Sequence, residues 1–143
     1  MTNTTTPAIQ NLARRLIALE AKRPPSDGLG GAVVRACDKL RMPLAKLAGV
    51  AGFRSLMARA KTLATSDVPW LDSVQVRADG SLEGFEVASS QQSALQGQEA
   101  GVAIVTNLLG LLVTFIGESL TQQFVRDAWS NESLGATDAG ERS

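Results

Sequence analysis

A glycine-rich stretch is the first candidate for chemistry in this chain, because such loops can bind phosphate. Gly28, Gly30 and Gly31 come directly before a predicted helix, and backbone amides at a helix N-terminus bind phosphate well. A dinucleotide-binding loop would need a third glycine where Val33 stands, and a nucleoside-triphosphate loop would need a following Gly-Lys-Ser/Thr, which is missing. We therefore interpret residues 28–31 as a plain loop that enters a helix.

Carboxylates are the second candidate, for calcium binding or acid–base catalysis. The segment 79–83 places side-chain oxygens at alternate positions, as a calcium loop does, but lacks the remaining ligands. Glu83 with Glu86, or Asp67 with Asp72, could form a carboxylate pair. Nothing in the sequence marks a pocket around either pair, so these residues are interpreted as a hairpin turn and solvated surface acids.

The absence of histidine excludes more chemistry than any other feature of the composition. Ser-His-Asp and Cys-His catalysis, histidine zinc sites and a histidine pH switch all need that residue. The single cysteine, Cys37, follows Val33 and Val34 at helical spacing, which favours a buried core residue over a reactive thiol. The sequence therefore predicts no enzyme, no catalytic or metal-binding residues and no cofactor.

The charged residues are divided unevenly along the chain. Residues 1–62 hold eleven basic and three acidic residues, a net charge of +8, and residues 63–143 carry the opposite net charge of −8. Such asymmetry favours an acidic protein partner, or the acidic half of another copy, although the two halves could also face each other. The expected partner contacts are Arg14, Arg15, Arg35, Lys39, Arg54, Arg59 and Lys61.

Helices must position these residues, because the apolar positions repeat at helical spacing. A helix is expected to begin at Pro7 and to end before Pro24-Pro25, and Pro43 and Gly49 are expected to interrupt the next helical stretch. The predicted helices cover about residues 7–22, 32–41, 44–47 and 51–64.

A β-hairpin and one long helix complete the predicted elements. Residues 73–77 alternate as a strand does, Asp79-Gly80 is a strong turn signal, and residues 81–87 would return as the second strand. The expected registers place Val76 opposite Glu83 or Gly84. A polar linker over 88–98 then leads into a last helix at about 99–129.

Residues 100–117 are eighteen consecutive uncharged positions in that last helix. As a helix they would reach about 27 Å, the lower limit for crossing a membrane. Asn107 near the centre and the scarcity of flanking basic residues argue for a buried core helix, and a membrane helix stays open as the alternative. A stripe of small and polar residues would form a helix-packing seam: Ala103, Asn107, Gly110, Thr114 and Gly117.

Residues 44–51 are similar to the first helix and turn of a bacterial helix-turn-helix, with Gly49 at the turn. The following helix, carrying Arg54, Arg59 and Lys61, would then read the major groove. Ala51 stands where a Ser or Thr cap is usual. Nucleic-acid binding through residues 44–61 is therefore an alternative function.

Three segments resemble a group of short uncharacterised bacterial proteins. They are Ala-Gly-Phe-Arg-Ser-Leu at 51–56, Val-Gln-Val at 74–76 with Asp-Gly-Ser-Leu-Glu-Gly at 79–84, and Leu-Leu-Gly-Leu-Leu-Val-Thr-Phe-Ile-Gly-Glu-Ser-Leu-Thr at 108–121. The resemblance covers about residues 45–129 and implies no activity. It implies that the hairpin and the last helix belong to one folded unit with the basic helices.

Together these patterns predict a mainly α fold: a bundle of four to five helices with one small β-hairpin, built around a long apolar C-terminal helix. A single domain at 7–129 would follow a polar leader at 1–6 and precede a disordered tail at 130–143. The leading functional hypothesis is a non-enzymatic interaction or regulatory module in the bacterial cytoplasm. The membrane alternative would place the chain in the inner membrane.

Overall fold

The computed structural model describes residues 7–21 and 28–129, and these residues are mostly helical. The mainly α fold with one small hairpin is thus confirmed. The predicted leader at 1–6, the stop at Pro24-Pro25 and the tail at 130–143 lie outside the described residues. The elements are α1 (Pro7–Ala21), α2 (Gly28–Asp67), a 3-10 helix (Pro69–Ser73), β1 (Gln75–Val76), β2 (Leu82–Glu83), α3 (Phe85–Ser90), α4 (Ala94–Ile116) and α5 (Glu118–Ala128).

Helix α2 continues through Pro43, so the predicted restart of the chain at this residue is wrong. A proline inside a helix removes one backbone hydrogen bond. Here Leu40 and Leu44 on either side of it are both fully buried. Their packing holds the helical path across the missing bond. Gly49, by contrast, interrupts the helix as expected, with φ 80° and ψ 164°.

The interruption at Gly49 folds α2 back on itself. Val33 and Asp67 would lie about 51 Å apart along a straight helix. Instead Val33 meets Gly101, and Asp67 lines the same cleft as Glu99. Since residues 99 and 101 belong to one turn of α4, both ends of α2 must lie beside that turn. The positive φ that this reversal needs is accessible to glycine at little cost.

The hairpin is shorter than predicted, and its register differs from the expected one. Gln75 pairs with Glu83 and Val76 with Leu82, whereas the sequence pattern placed Val76 opposite Glu83 or Gly84. The observed register brings two apolar side chains together against the core, where Leu82 is buried. Gly84 then adopts a left-handed conformation with φ 86°, which ends the second strand.

Residues 85–90 and 94–98 are helical where a strand end and a polar linker were expected. Helix α3 begins at Phe85, which is fully buried and packs near the ring of Trp70. Helix α4 begins five residues earlier than predicted, because Ser93 caps it. The Ser93 hydroxyl accepts from the amide of Gln96, and the Gln96 side chain accepts from the amide of Ser93.

The predicted single helix at 99–129 is two helices. Gly117, with φ 90° and ψ 162°, ends α4, and α5 begins at the next residue. The apolar helix is therefore not the last one in the chain. The sequence pattern indicated Gly117 as a small packing residue within a continuous helix, and it gave no sign of the change in backbone direction.

Helix α4 lies at the centre of the core, as the sequence predicted for the long apolar segment. It contacts α1, α2, α3 and α5. Among the described residues, Leu95–Ile116 is the one helical stretch long and apolar enough to cross a membrane, and 56% of its most apolar part is buried inside the fold. Its fully or nearly fully buried apolar side chains are Ala100, Val102, Ile104, Val105, Leu108, Leu109 and Leu112.

Gly101 is where α4 comes closest to α2. A Cβ atom at this position would lie 2.3 Å from Cγ2 of Val33. We expect Gly101→Ala to lower the free energy of unfolding by about 1–3 kcal/mol, because Val33 is stiff at χ1 and the core is closely packed. The double variant Gly101→Ala with Val33→Ala should recover most of the lost free energy of unfolding. Urea unfolding of both variants tests this expectation, and an unchanged midpoint for Gly101→Ala would contradict it.

Candidate functional site

A buried carboxylate gathers two of the predicted partner-binding cations. Glu20, in the last turn of α1, is fully buried. The Lys39 ammonium lies 2.9 Å from its Oε2 atom, and Nε of Arg35 lies 3.4 Å from Oε1. The Trp129 indole donates to Oε2 at 3.0 Å, and the Lys39 ammonium lies 5.4 Å from the centre of that ring.

This Glu20 cluster connects three parts of the chain: α1, α2 and the residue that follows α5. Arg35 also donates to the backbone carbonyl of Glu20 at 2.7 Å. Arg35 and Lys39, which were predicted to contact a partner, are partly buried against Glu20, with 25% of each side chain exposed. One signal in the sequence pointed to Glu20, since it continues the buried positions of Ala13 and Leu16 at helical spacing.

Other basic residues of α2 remain exposed. Arg54 and Arg59 are exposed and Lys61 is partly so, and no acidic group within the described ranges lies within ion-pair distance of them. Arg54 and Lys61 are seven residues apart and share one side of the helix, whereas Arg59 lies about 140° around from Arg54. These three residues form the α2 basic surface and stay available for contacts with another molecule.

Arg41, which also belongs to α2, forms ion pairs within the chain. Its guanidinium lies 3.4 Å from Asp38 and 4.0 Å from Asp79 in the hairpin turn. Arg77 similarly lies 3.6 Å from Glu83 across the two strands.

The predicted helix-turn-helix differs from the observed geometry around Gly49. A helix-turn-helix joins its two helices through a turn of three to four residues. Here a single residue separates the two helical parts of α2, and the first of them begins as early as Gly28. The turn around Gly49 is therefore shorter than that of a helix-turn-helix, and nucleic-acid binding through residues 44–61 stays a prediction.

Arg14 lines a polar cleft of about 430 Å³ between α1, α2 and α4. Asp67 and Glu99 face the same cleft, so cationic and anionic groups are mixed along its walls. Arg15, next to Arg14, is exposed on α1. The full lining is Pro7, Gln10, Arg14, Asp67, Val68, Glu99, Val102, Ala103, Thr106 and Asn107.

The predicted helix-packing seam is only partly covered within this chain. Gly110 is buried, Ala103 and Asn107 are partly buried, and Thr114 and Gly117 are exposed. Asn107 donates to the carbonyl of Ala103 at 2.8 Å, so its amide group is satisfied by its own helix. As a surface for another helix, the seam stays a prediction.

An apolar groove of about 690 Å³ separates α2 from α5. Met42 and Leu47 on its α2 wall are 60% and 50% exposed. The sequence pattern gave no sign of it, because α5 was predicted as a continuation of α4. The lining residues are Lys39, Met42, Pro43, Lys46, Leu47, Phe124, Asp127 and Ala128.

Cys37 is buried, as predicted for a core residue. Burial, with a smaller contribution from the charge of Asp38, raises the pKa of its thiol to about 12. At neutral pH it is a neutral side chain with little nucleophilic character. Within the described part of the chain, no three His, Cys, Asp or Glu residues lie close enough to hold a metal ion.

The chain was compared with protein-family models, with curated proteins and with solved structures, and no match was found in any of the three.

Proposed function

We propose that this protein is a non-enzymatic interaction module of the bacterial cytoplasm, and that its α2 basic surface binds an acidic segment of a partner protein. The observation that carries the proposal is the division of the cations on α2. Arg35 and Lys39 both contact the Glu20 carboxylate, whereas Arg54 and Arg59 form no ion pair with any described residue. Exposed cations of this kind attract and orient an oppositely charged partner.

The arrangement of these cations favours a protein partner over a DNA duplex. Arg54 and Arg59 point to different sides of α2, so they do not form one flat contact surface. A flexible acidic segment can pass around the helix and contact both side chains. The reversal at Gly49 also lacks the turn on which a helix-turn-helix depends.

A charge-reversal pair tests the proposal. Arg54→Glu with Arg59→Glu should weaken binding of the partner about tenfold, because two attractive contacts become repulsive. Arg77→Glu with Arg126→Glu is the control, since it changes the net charge equally at two other exposed arginines. It also breaks the contact between Arg77 and Glu83, an exposed ion pair of the kind that contributes little to stability. Proteins retained by each full-length variant from cells that naturally express the chain are quantified after nuclease treatment.

The expected result is an acidic protein that the wild type and the control retain and that the test variant loses. Equal retention by all three would contradict the proposal. A second result would also contradict the proposal: the captured material is lost on nuclease treatment, and the purified chain binds a DNA duplex with a steep dependence on salt.

A further inference from the structure

The groove between α2 and α5 exposes apolar side chains that nothing in the described fold covers. Met42 and Leu47, which are both exposed, stand on one wall, and the partly buried Phe124 stands on the other. Leu120 lies one turn before Phe124 on the same side of α5 and is 50% exposed, so it extends that wall. Contiguous exposed apolar surface of this kind marks an interaction site in a soluble protein.

Two unpaired charges of opposite sign flank this groove. Lys46 belongs to the α2 wall and Asp127 to the α5 wall. Within the described part of the chain neither forms an ion pair, and they do not pair with each other across the groove. A third charged group, Lys39, is already held by Glu20 at 2.9 Å. Lys46 and Asp127 therefore offer one unpaired charge of each sign, which fits a partner surface that carries the same two charges.

We propose that a second copy of this chain binds here, related by a two-fold axis, so that each α2 wall packs into the groove of the other copy. A two-fold interface must be complementary to itself. An apolar centre with a cation on one wall and an anion on the other meets that requirement, because Lys46 of each copy faces Asp127 of the other. This inference is independent of the proposed function, since the α2 basic surface contributes none of these residues.

The apolar part of the interface is tested by sedimentation velocity of the full chain between about 1 and about 100 µM, where moderate affinities are measurable. The wild type should shift from monomer to dimer with concentration. Leu47→Asp should weaken dimerisation at least tenfold while keeping the helical circular dichroism, because Leu47 is half exposed. Val87→Asp is the matched control on α3, where Val87 is 65% exposed and lies outside the groove, and it should dimerise as the wild type does.

The charge pairs are tested by exchanging their signs. Lys46→Glu alone and Asp127→Lys alone should each weaken the dimer about tenfold, and the double variant should return to within about threefold of the wild-type Kd. A monomer at every concentration overturns the proposal. A dimer that tolerates Leu47→Asp, a double variant without recovery, or binding of monomers to vesicles of anionic phospholipid in place of dimerisation also overturns it.

Discussion

Leu112→Arg should abolish folding of the protein in water. Leu112 lies in α4 and is fully buried, so the arginine would carry an unpaired charge into the core. The penalty is several kcal/mol, which is comparable with the whole stability of a domain of this size, about 5–15 kcal/mol. Circular dichroism and limited proteolysis measure the loss. Leu95→Arg in the same helix is the control, because Leu95 is 65% exposed.

The same pair of variants separates the core-helix interpretation of α4 from the membrane interpretation. We expect the wild type and Leu95→Arg in the soluble fraction of cells, and Leu112→Arg as degraded or aggregated chain. Two results together would contradict the core-helix interpretation. The wild type would stay in alkaline-washed membranes, and the Leu112→Arg variant would be released from them as folded protein.

Removing both cations around Glu20 should have the second-largest effect. Arg35→Leu with Lys39→Leu removes the two described cations that contact a fully buried carboxylate. Breaking a buried ion pair in this way costs about 3–5 kcal/mol. Adding Glu20→Gln should recover most of the loss, because the amide oxygen is neutral and can still accept from the Trp129 indole.

Urea unfolding of the double and triple variants measures this coupling directly. Arg54→Leu with Arg59→Leu is the control, since these exposed side chains lack ionic partners in the described part of the chain, and it should change stability by about 0.5 kcal/mol or less. If the Glu20 cluster contributes little to stability, the double variant and this control will unfold at the same urea concentration.

Apolar periodicity predicted most of the helical content of this fold. Positions that recur every three or four residues in α1, α2 and α4 are the ones that pack inward, from Leu16 to Phe53 and Leu112. Local signals also identified the interruption at Gly49 and the turn at Asp79-Gly80. Both depend on residues with unusual backbone freedom or strong turn preference.

The sequence-based predictions were wrong at positions where packing or a long-range contact outweighs the local structural preference of a residue. Pro43 stays helical because its buried neighbours hold it, and Phe85 starts a helix because the core accepts its ring next to Trp70. The bond between Glu20 and Trp129 joins residues 109 positions apart. No spacing rule within a single sequence can indicate such a contact.

The sequence predicted the candidate surfaces only as an excess of basic residues in the first part of the chain. The sequence showed that the first 62 residues are basic, but it could not show which cations are already paired. Arg35 and Lys39 use an acid from their own half of the chain, and Arg41 lies near the hairpin. Three-dimensional proximity therefore separates the cations that contact acidic groups of this chain from those of the α2 basic surface.

Site-specific photocrosslinking in living cells tests the central claim, that the α2 basic surface binds an acidic protein, most directly. A photoreactive residue replaces Ser55, which is exposed between Arg54 and Arg59, or Ser90, which is exposed on α3. We expect an adduct with an acidic protein from position 55 but not from position 90, and we expect that adduct to be lost when Arg54→Glu and Arg59→Glu are added. No adduct at position 55, or the same adducts from both positions, would contradict the claim.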